Sequence, residues 1–241
     1  MRDHNPAIRS LAWTLSVGAV VVLAASAVWL VGAAGALSAA ATLVVYGALA
    51  AYAWSGRRRL PPDRPLSWAT RVTLVRVVIT SLLAGLAAVP DGARAHVALW
   101  LTACGLELAL DTLDGRLARR RGESTAHGAA LDGETDAVFV LVLSVFAFQA
   151  GRAEGAPAAF VLAIGAFRYF LLAAAALVPW LRGEVPSSLR AKIICNVAIG
   201  VCLFDAAPFT PVALRNPLTA LALALLAWSF SFDVRTLAAR R

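Results

Sequence analysis

The sequence predicts an all-α, polytopic membrane protein with about eight transmembrane helices. Three observations carry this. Hydrophobic residues make up 60% of the 241-residue chain and charged residues 15%, with a mean hydropathy of +0.75. A soluble domain is nearer half apolar and a quarter charged, so one core would not cover this much apolar surface. The apolar residues also fall into runs of roughly 20, the length at which a helix crosses a bilayer. Finally, the net charge of +8 is spread between these runs rather than gathered in one basic patch, which fits membrane topology and gives no reason to expect a nucleic-acid partner. The same composition excludes disordered, collagen-like and coiled-coil classes. Cys104, Cys195 and Cys202 lie in apolar stretches and suggest neither a disulfide scaffold nor a metal knuckle.

The first span is read at residues 11–31, too long and without the cleavage flank for a signal peptide. A Gly-Ala-Ala-Gly turn at 32–35 leads to a second span at 36–54. A basic linker follows at 55–66, broken by Pro61, Pro62 and Pro65 and suited to lie on anionic headgroups. The third span is placed at 68–89 with Ser67 as its N-cap, and Pro90-Asp91-Gly92 ends it. The fourth starts near Ala95 and continues past Asp111 to Arg119. The fifth covers 129–149, with His127 in the loop before it, and the sixth 156–180. The seventh is shorter, 191–203, capped by Ser187 or Ser188. The eighth is read from Asn216 as cap and Pro217 as first helical residue, running to about Phe232.

Eight alternating spans with a cytoplasmic N-terminus place sixteen basic residues inside: Arg2, Arg9, Arg57, Arg58, Arg59, Arg64, Arg116, Arg119, Arg120, Arg121, Arg182, Arg190, Lys192, Arg235, Arg240 and Arg241. Three fall outside, Arg94, Arg152 and Arg215. This asymmetry predicts both termini on the cytoplasmic side. All basic residues but Lys192 are arginine and alanine is abundant, as in a GC-rich bacterial coding sequence. The expected location is therefore a bacterial inner membrane.

Ionisable groups in or at the edge of a membrane are costly and mark function. The chain concentrates them in Asp111-Thr-Leu-Asp114-Gly115-Arg-Leu-Ala118-Arg119 and, after eight residues, Gly128-Ala-Ala-Leu-Asp132-Gly-Glu-Thr-Asp136. Asp111 and Asp114 share one helix face, as do Asp132 and Asp136. If the segment between them turns the chain, four carboxylates converge at the cytoplasmic rim. Four such groups repel one another unless cations sit among them, and hard oxygen donors suit Mg²⁺, Mn²⁺ or Ca²⁺ rather than zinc. Two divalent ions about 3.5–4 Å apart clamp both oxygens of a phosphoryl displacement. Gly115, Ala118 and Gly128 leave room for a bulky ligand at the helix backbone, and Arg119 offers a partner for phosphate oxygens.

This pattern, Asp-x-x-Asp-Gly-x-x-Ala-Arg, eight residues, then Gly-x-x-x-Asp-x-x-x-Asp, resembles the motif of the CDP-alcohol phosphatidyltransferases at every specified position. A chance match at a given start is roughly 10⁻⁹ from average residue usage. The resemblance implies a six-helix membrane core, usually a homodimer, with two divalent ions, Mg²⁺ or Mn²⁺. It implies transfer of a phosphatidyl or similar phosphoalcohol group from a CDP-activated lipid to an acceptor hydroxyl, with release of CMP. By this likeness Asp111, Asp114, Asp132 and Asp136 are metal ligands and Asp136 is also the general base. Gly115, Ala118, Arg119 and Gly128 cradle the cytidine diphosphate, with Thr73 beside them. The family's Asn-x-x-Thr-x-x-Arg pattern reads Thr70-Arg-Val-Thr73-Leu-Val-Arg76 here, Thr70 standing in place of Asn. Residues 68–241 then form the core, 57–67 the linker and 1–56 an added two-span hairpin.

Arg76 and Arg168 fall inside spans, and Arg190 and Lys192 open the seventh. They are read either as structural or anchoring charges, with Arg76 or Arg168 paired to Glu107, or as a pocket for a phosphorylated acceptor. The donor is read as CDP-diacylglycerol and the acceptor as a small alcohol such as a polyol phosphate. Rival readings are another CDP-alcohol donor or lipid acceptor, a non-catalytic relative, and a divalent-cation transporter. The transporter would spread acidic residues through the membrane depth, whereas here they cluster at one rim.

Overall fold

The computed structural model describes residues 5–29, 33–89, 95–121, 125–153, 159–182 and 188–239. The described residues form eight α-helices: α1 (Pro6–Trp29), α2 (Ala33–Ser55), α3 (Trp68–Ala87), α4 (Val97–Arg121), α5 (Ala126–Ala153), α6 (Val161–Leu177), α7 (Leu189–Ala206) and α8 (Val212–Ala238). Two 3₁₀ turns, Gly56–Arg59 and Pro179–Arg182, follow α2 and α6. No strand occurs among the described residues. Among the described residues, four helices are long and apolar enough to cross a membrane: Pro6–Val28, Ala34–Arg59, Trp68–Ala87 and Val212–Ala238. α4 and α5 carry the acidic motif within their helical length, and α6 has only 17 residues. Val28 is 76% exposed and Leu177 84%. Large apolar side chains in that position require lipid rather than water around them.

Contacts divide the chain into two units, residues 1–139 and 140–241. In the first, α3 packs against α1, α2 and α4, and its side chains are mostly buried for that reason. Ser67 caps α3, its Oγ accepting from the Thr70 N–H at 3.2 Å. Leu11, Val22, Leu49, Leu74, Val77 and Leu131 belong to one buried cluster that ties the N-terminal hairpin to α3 and the start of α5. The hairpin closes on Gly18, where a Cβ would stand 2.6 Å from the Tyr46 Oη, and Tyr46 donates to the Leu15 carbonyl. Arg71 of α3 donates to Ser10 Oγ of α1 at 3.2 Å. Leu60 and Leu66 of the basic linker are buried, which seats that segment on the unit.

In the second unit α8 packs against α6 and α7. Ser188 is the cap of α7, accepting from the Ala191 N–H at 3.1 Å. Phe167 and Phe230 meet edge to face at 5.8 Å. Asp205 accepts from Thr219, and Arg215 donates to the carbonyls of Ala207 at 3.2 Å and Thr210 at 3.5 Å.

Several boundaries differ from the sequence reading: α1 starts at Pro6 rather than at 11, α5 covers Ala126–Ala153 rather than 129–149, α6 Val161–Leu177 rather than 156–180, and α7 Leu189–Ala206 rather than 191–203. α8 begins at Val212 after Pro211, so Pro217 lies inside it and Arg215 is a buried helical residue. The Arg215 and Thr219 bonds hold that extra turn, and Pro217 stands early enough in the helix to cost only one backbone bond. Ala33, Ala34 and Gly35 belong to α2 rather than to a turn. The turn expected at Pro90-Asp91-Gly92, the cap alternative Ser187, and Arg2, Arg94, Arg240 and Arg241 lie outside the described residues.

Candidate active site

The site lies within the first unit, on α3, α4 and α5. Glu107 and Asp111 stand four residues apart on α4, and Asp132 and Asp136 four apart on α5, so each pair shares a helix face. One carboxylate oxygen from each of Asp111, Asp132 and Asp136 lies within 4.8 Å of the others. The three side chains are 43%, 34% and 42% exposed, open enough to meet a ligand from outside. Asp114, Ala118 and Arg119 belong to α4, but their side chains lie outside the described residues.

Arg76 of α3 fills the space beneath these groups and is 1% exposed. Its Nε donates to Glu107 Oε1 at 3.2 Å, and its Nη1 meets Asp111 Oδ1 at 3.0 Å. Nη1 also pairs with Asp132, and Nη2 with Asp136. Thr80 donates its hydroxyl to the same Glu107 oxygen at 3.1 Å. A buried guanidinium survives only when paired in this way. One cation thus gathers four carboxylates from two helices. The pairing of Arg76 with Glu107 was one of the sequence alternatives; its simultaneous reach to three aspartates was not among them. The legible part of that signal is spacing: Arg76 and Thr80 are four apart on α3, as Glu107 and Asp111 are on α4.

Gly128 sits in the first turn of α5, where a Cβ would stand 2.9 Å from Thr70 Oγ1 and 3.1 Å from Thr125 Oγ1. Thr125 caps the helix, accepting from the Gly128 N–H at 3.0 Å. Thr70, the departure from the family pattern, therefore packs directly on the motif glycine, and its hydroxyl also meets Ser67 Oγ at 2.9 Å. These threonines line a cavity of about 400 Å³ together with Arg64, Ser67, Trp68 and Arg71. Thr73 is buried and donates to the Ala69 carbonyl at 3.1 Å. Gly115 lies on α4 one residue past Asp114.

His127, read as a loop residue, lies in the first turn of α5 and is 4% exposed. A Cβ on Gly56 would stand 2.4 Å from its Nδ1. Burial and then the nearby Arg59 charge push its pKa below the ordinary 6.5. The unfolded chain therefore takes up this proton first as pH falls. Stability is full above about 6.5 and declines below it, towards the folded-state value. His127→Gln should flatten that decline in melting temperature between pH 7.5 and 5; an unchanged slope would place the pH dependence elsewhere.

In the second unit Arg190 is held by Asp233 at 2.8 Å, by Ser229 Oγ at 3.3 Å and over the Phe232 ring at 4.6 Å. Arg168 and Lys192 are exposed on α6 and α7.

A family model described as CDP-alcohol phosphatidyltransferase matches residues 66–232. The chain belongs to that family. No curated protein and no solved structure matches it. As a CDP-alcohol phosphatidyltransferase it is a membrane enzyme that transfers a phosphatidyl group from a CDP-alcohol donor to an alcohol acceptor. The matched segment contains all of α3, α4 and α5, and so the whole carboxylate cluster. Members are typically dependent on divalent metal. Membership sets aside the transporter reading of the same acidic residues.

Proposed function

We propose that this transferase takes its phosphatidyl group from CDP-diacylglycerol and passes it to a small alcohol such as a polyol phosphate, releasing CMP. The observation that carries the reading is the approach of Asp111, Asp132 and Asp136 to within 4.8 Å inside the family-matched segment. Their donor set fits two divalent ions. It consists of hard carboxylate oxygens, partly open to a ligand, and already draws a positive group among them in the form of the Arg76 guanidinium. Asp111, Asp114, Asp132 and Asp136 would hold Mg²⁺ or Mn²⁺. Bound there, the ions would offset the diphosphate charge and stabilise the departing CMP.

The chain's own residues do the rest. Asp136 accepts the proton of the acceptor hydroxyl as that oxygen attacks the donor's β-phosphorus. The new P–O bond forms as the bond to the CMP oxygen breaks. Gly115, Ala118, Arg119 and Gly128, with Thr73, border the cytidine diphosphate. The cavity beside Gly128 adds hydroxyls and two arginines suited to its polar groups. Arg168, Arg190 and Lys192 are the basic side chains assigned to an anionic acceptor. Arg76 leaves that set, because the carboxylates around it would repel an anion. The eight-span layout with residues 68–241 as core, 57–67 as linker and 1–56 as added hairpin belongs to the same reading. So do homodimerisation, a bacterial inner-membrane location and cytoplasmic termini.

Purified protein supplied with CDP-diacylglycerol and an alcohol panel (glycerol 3-phosphate, inositol phosphate, inositol, serine) should release CMP with one of them. EDTA should stop that release, and added Mg²⁺ or Mn²⁺ should restore it. Full turnover in chelator would refute the ion-binding role of the aspartates.

A further inference from the structure

The proposed transfer gives work to the aspartates but none to Arg76 and Glu107, which lie deeper in the same cluster at 1% and 0% exposure. Their arrangement is specific. Glu107 uses Oε1 for both Arg76 Nε and Thr80 Oγ1. Its Oε2 is buried and has no hydrogen-bond partner among the described residues. Arg76 meanwhile spends Nη1 and Nη2 on Asp111, Asp132 and Asp136. Leaving a buried carboxylate oxygen unpaired is costly, so its persistence needs a reason.

We propose that Arg76 is a resident counter-cation for the metal ligands, and that Glu107 is the seat to which it is handed when divalent ions load. The inference rests on the divalent-ion reading above. Before loading, the guanidinium offsets the mutual repulsion of the carboxylates and keeps them gathered. Ions and guanidinium compete for the same oxygens, and once these are taken Arg76 has like charge for a neighbour. It is buried, so it cannot move out to water. Glu107 already holds its Nε, and the open Oε2 lets a turned guanidinium make a two-pronged pair with one carboxylate. Thr80 keeps Glu107 aimed for this. Arg76 and Glu107 are thus positioning residues, acting through the aspartates.

The test is Mn²⁺ affinity of the purified full-length chain, read from the electron paramagnetic resonance signal of free Mn²⁺, in a double-variant cycle. Glu107→Gln should weaken Mn²⁺ binding roughly tenfold, because the displaced guanidinium loses its charged partner. Arg76→Gln should tighten binding, because nothing competes for the aspartates. In the Arg76→Gln background the further change Glu107→Gln should shift affinity less than about twofold, within the error of independent sites. If Arg76→Gln does not fold, Arg76→Lys serves in its place. Lysine keeps the buried charge but not the fork, so Glu107→Gln should cost less there than in the natural chain. Equal cost of Glu107→Gln in both backgrounds would overturn the handover while leaving the ion site intact. Absence of Mn²⁺ binding by the natural chain would overturn the ion reading itself, and this inference with it.

Discussion

Asp136→Asn should lower CMP release by about 10³-fold or more while leaving the fold intact. The amide keeps the volume of the carboxylate and an oxygen that can still accept from Arg76 Nη2. It cannot take a proton from the acceptor hydroxyl, and general-base assistance alone is worth about 10²–10⁴ in rate. It also removes one negative oxygen from a set of three that converge within 4.8 Å, so affinity for divalent ions falls too. The two losses separate experimentally. Saturating Mn²⁺ restores occupancy of a weakened site but not the missing base, so the rate should stay low at high Mn²⁺. Unchanged melting temperature in EDTA would show that the loss is chemical rather than structural. Near-normal CMP release by this variant would refute the assignment of Asp136.

The largest effect expected on stability comes from Gly165→Ala in the second unit. Gly165 of α6 faces the second half of α5, where a Cβ would stand 2.3 Å from Ser144 Oγ and 2.5 Å from the Leu141 Cα. A hydroxyl can turn away, but a backbone carbon moves only with its helix, and overpacking of this kind costs about 1–3 kcal/mol. Small residues at such crossings are what allow membrane helices to approach closely. Gly105 and Gly200 are the controls, since nothing stands within 4 Å of a Cβ at either. Alanine there should be neutral or stabilising by up to about 1 kcal/mol from helix propensity. Unfolding of the three variants in mixed micelles ranks them; a Gly165→Ala protein as stable as the other two would mean that the helices do not meet at this point.

Local features were legible wherever a few neighbouring residues decide them. Ser67 and Ser188 cap α3 and α7 because a hydroxyl three residues before an N–H needs no distant partner. The start of α8 was misread for the opposite reason. Asn216-Pro217 is a sound start signal by itself, yet Arg215 and Thr219 bond residues 205–210, and those bonds reward an earlier start. His127 looks like a loop residue beside Gly128. Its burial against Gly56 comes from a segment some seventy positions away, invisible to local pattern. Thr70 reads as a missing asparagine, whereas in the fold it is the residue that Gly128 makes room for.

Asp111, Asp114, Asp132 and Asp136 and the small residues between them resemble the family's motif closely enough to indicate the family and the reaction class without coordinates, while helix periodicity by itself indicates only that each pair of aspartates shares a face. The apolar runs were enough to indicate an all-helical membrane protein, because backbone polar groups in lipid must be satisfied within the helix. Which charge stands among the aspartates was decided only by tertiary structure. Arg76 is 31 residues from Glu107 and 60 from Asp136 in the chain, and nothing along the sequence sets the rotation of α3 about its axis. That rotation follows from burying Leu74 and Val77 against the N-terminal hairpin, and it turns the guanidinium into the carboxylates as a consequence.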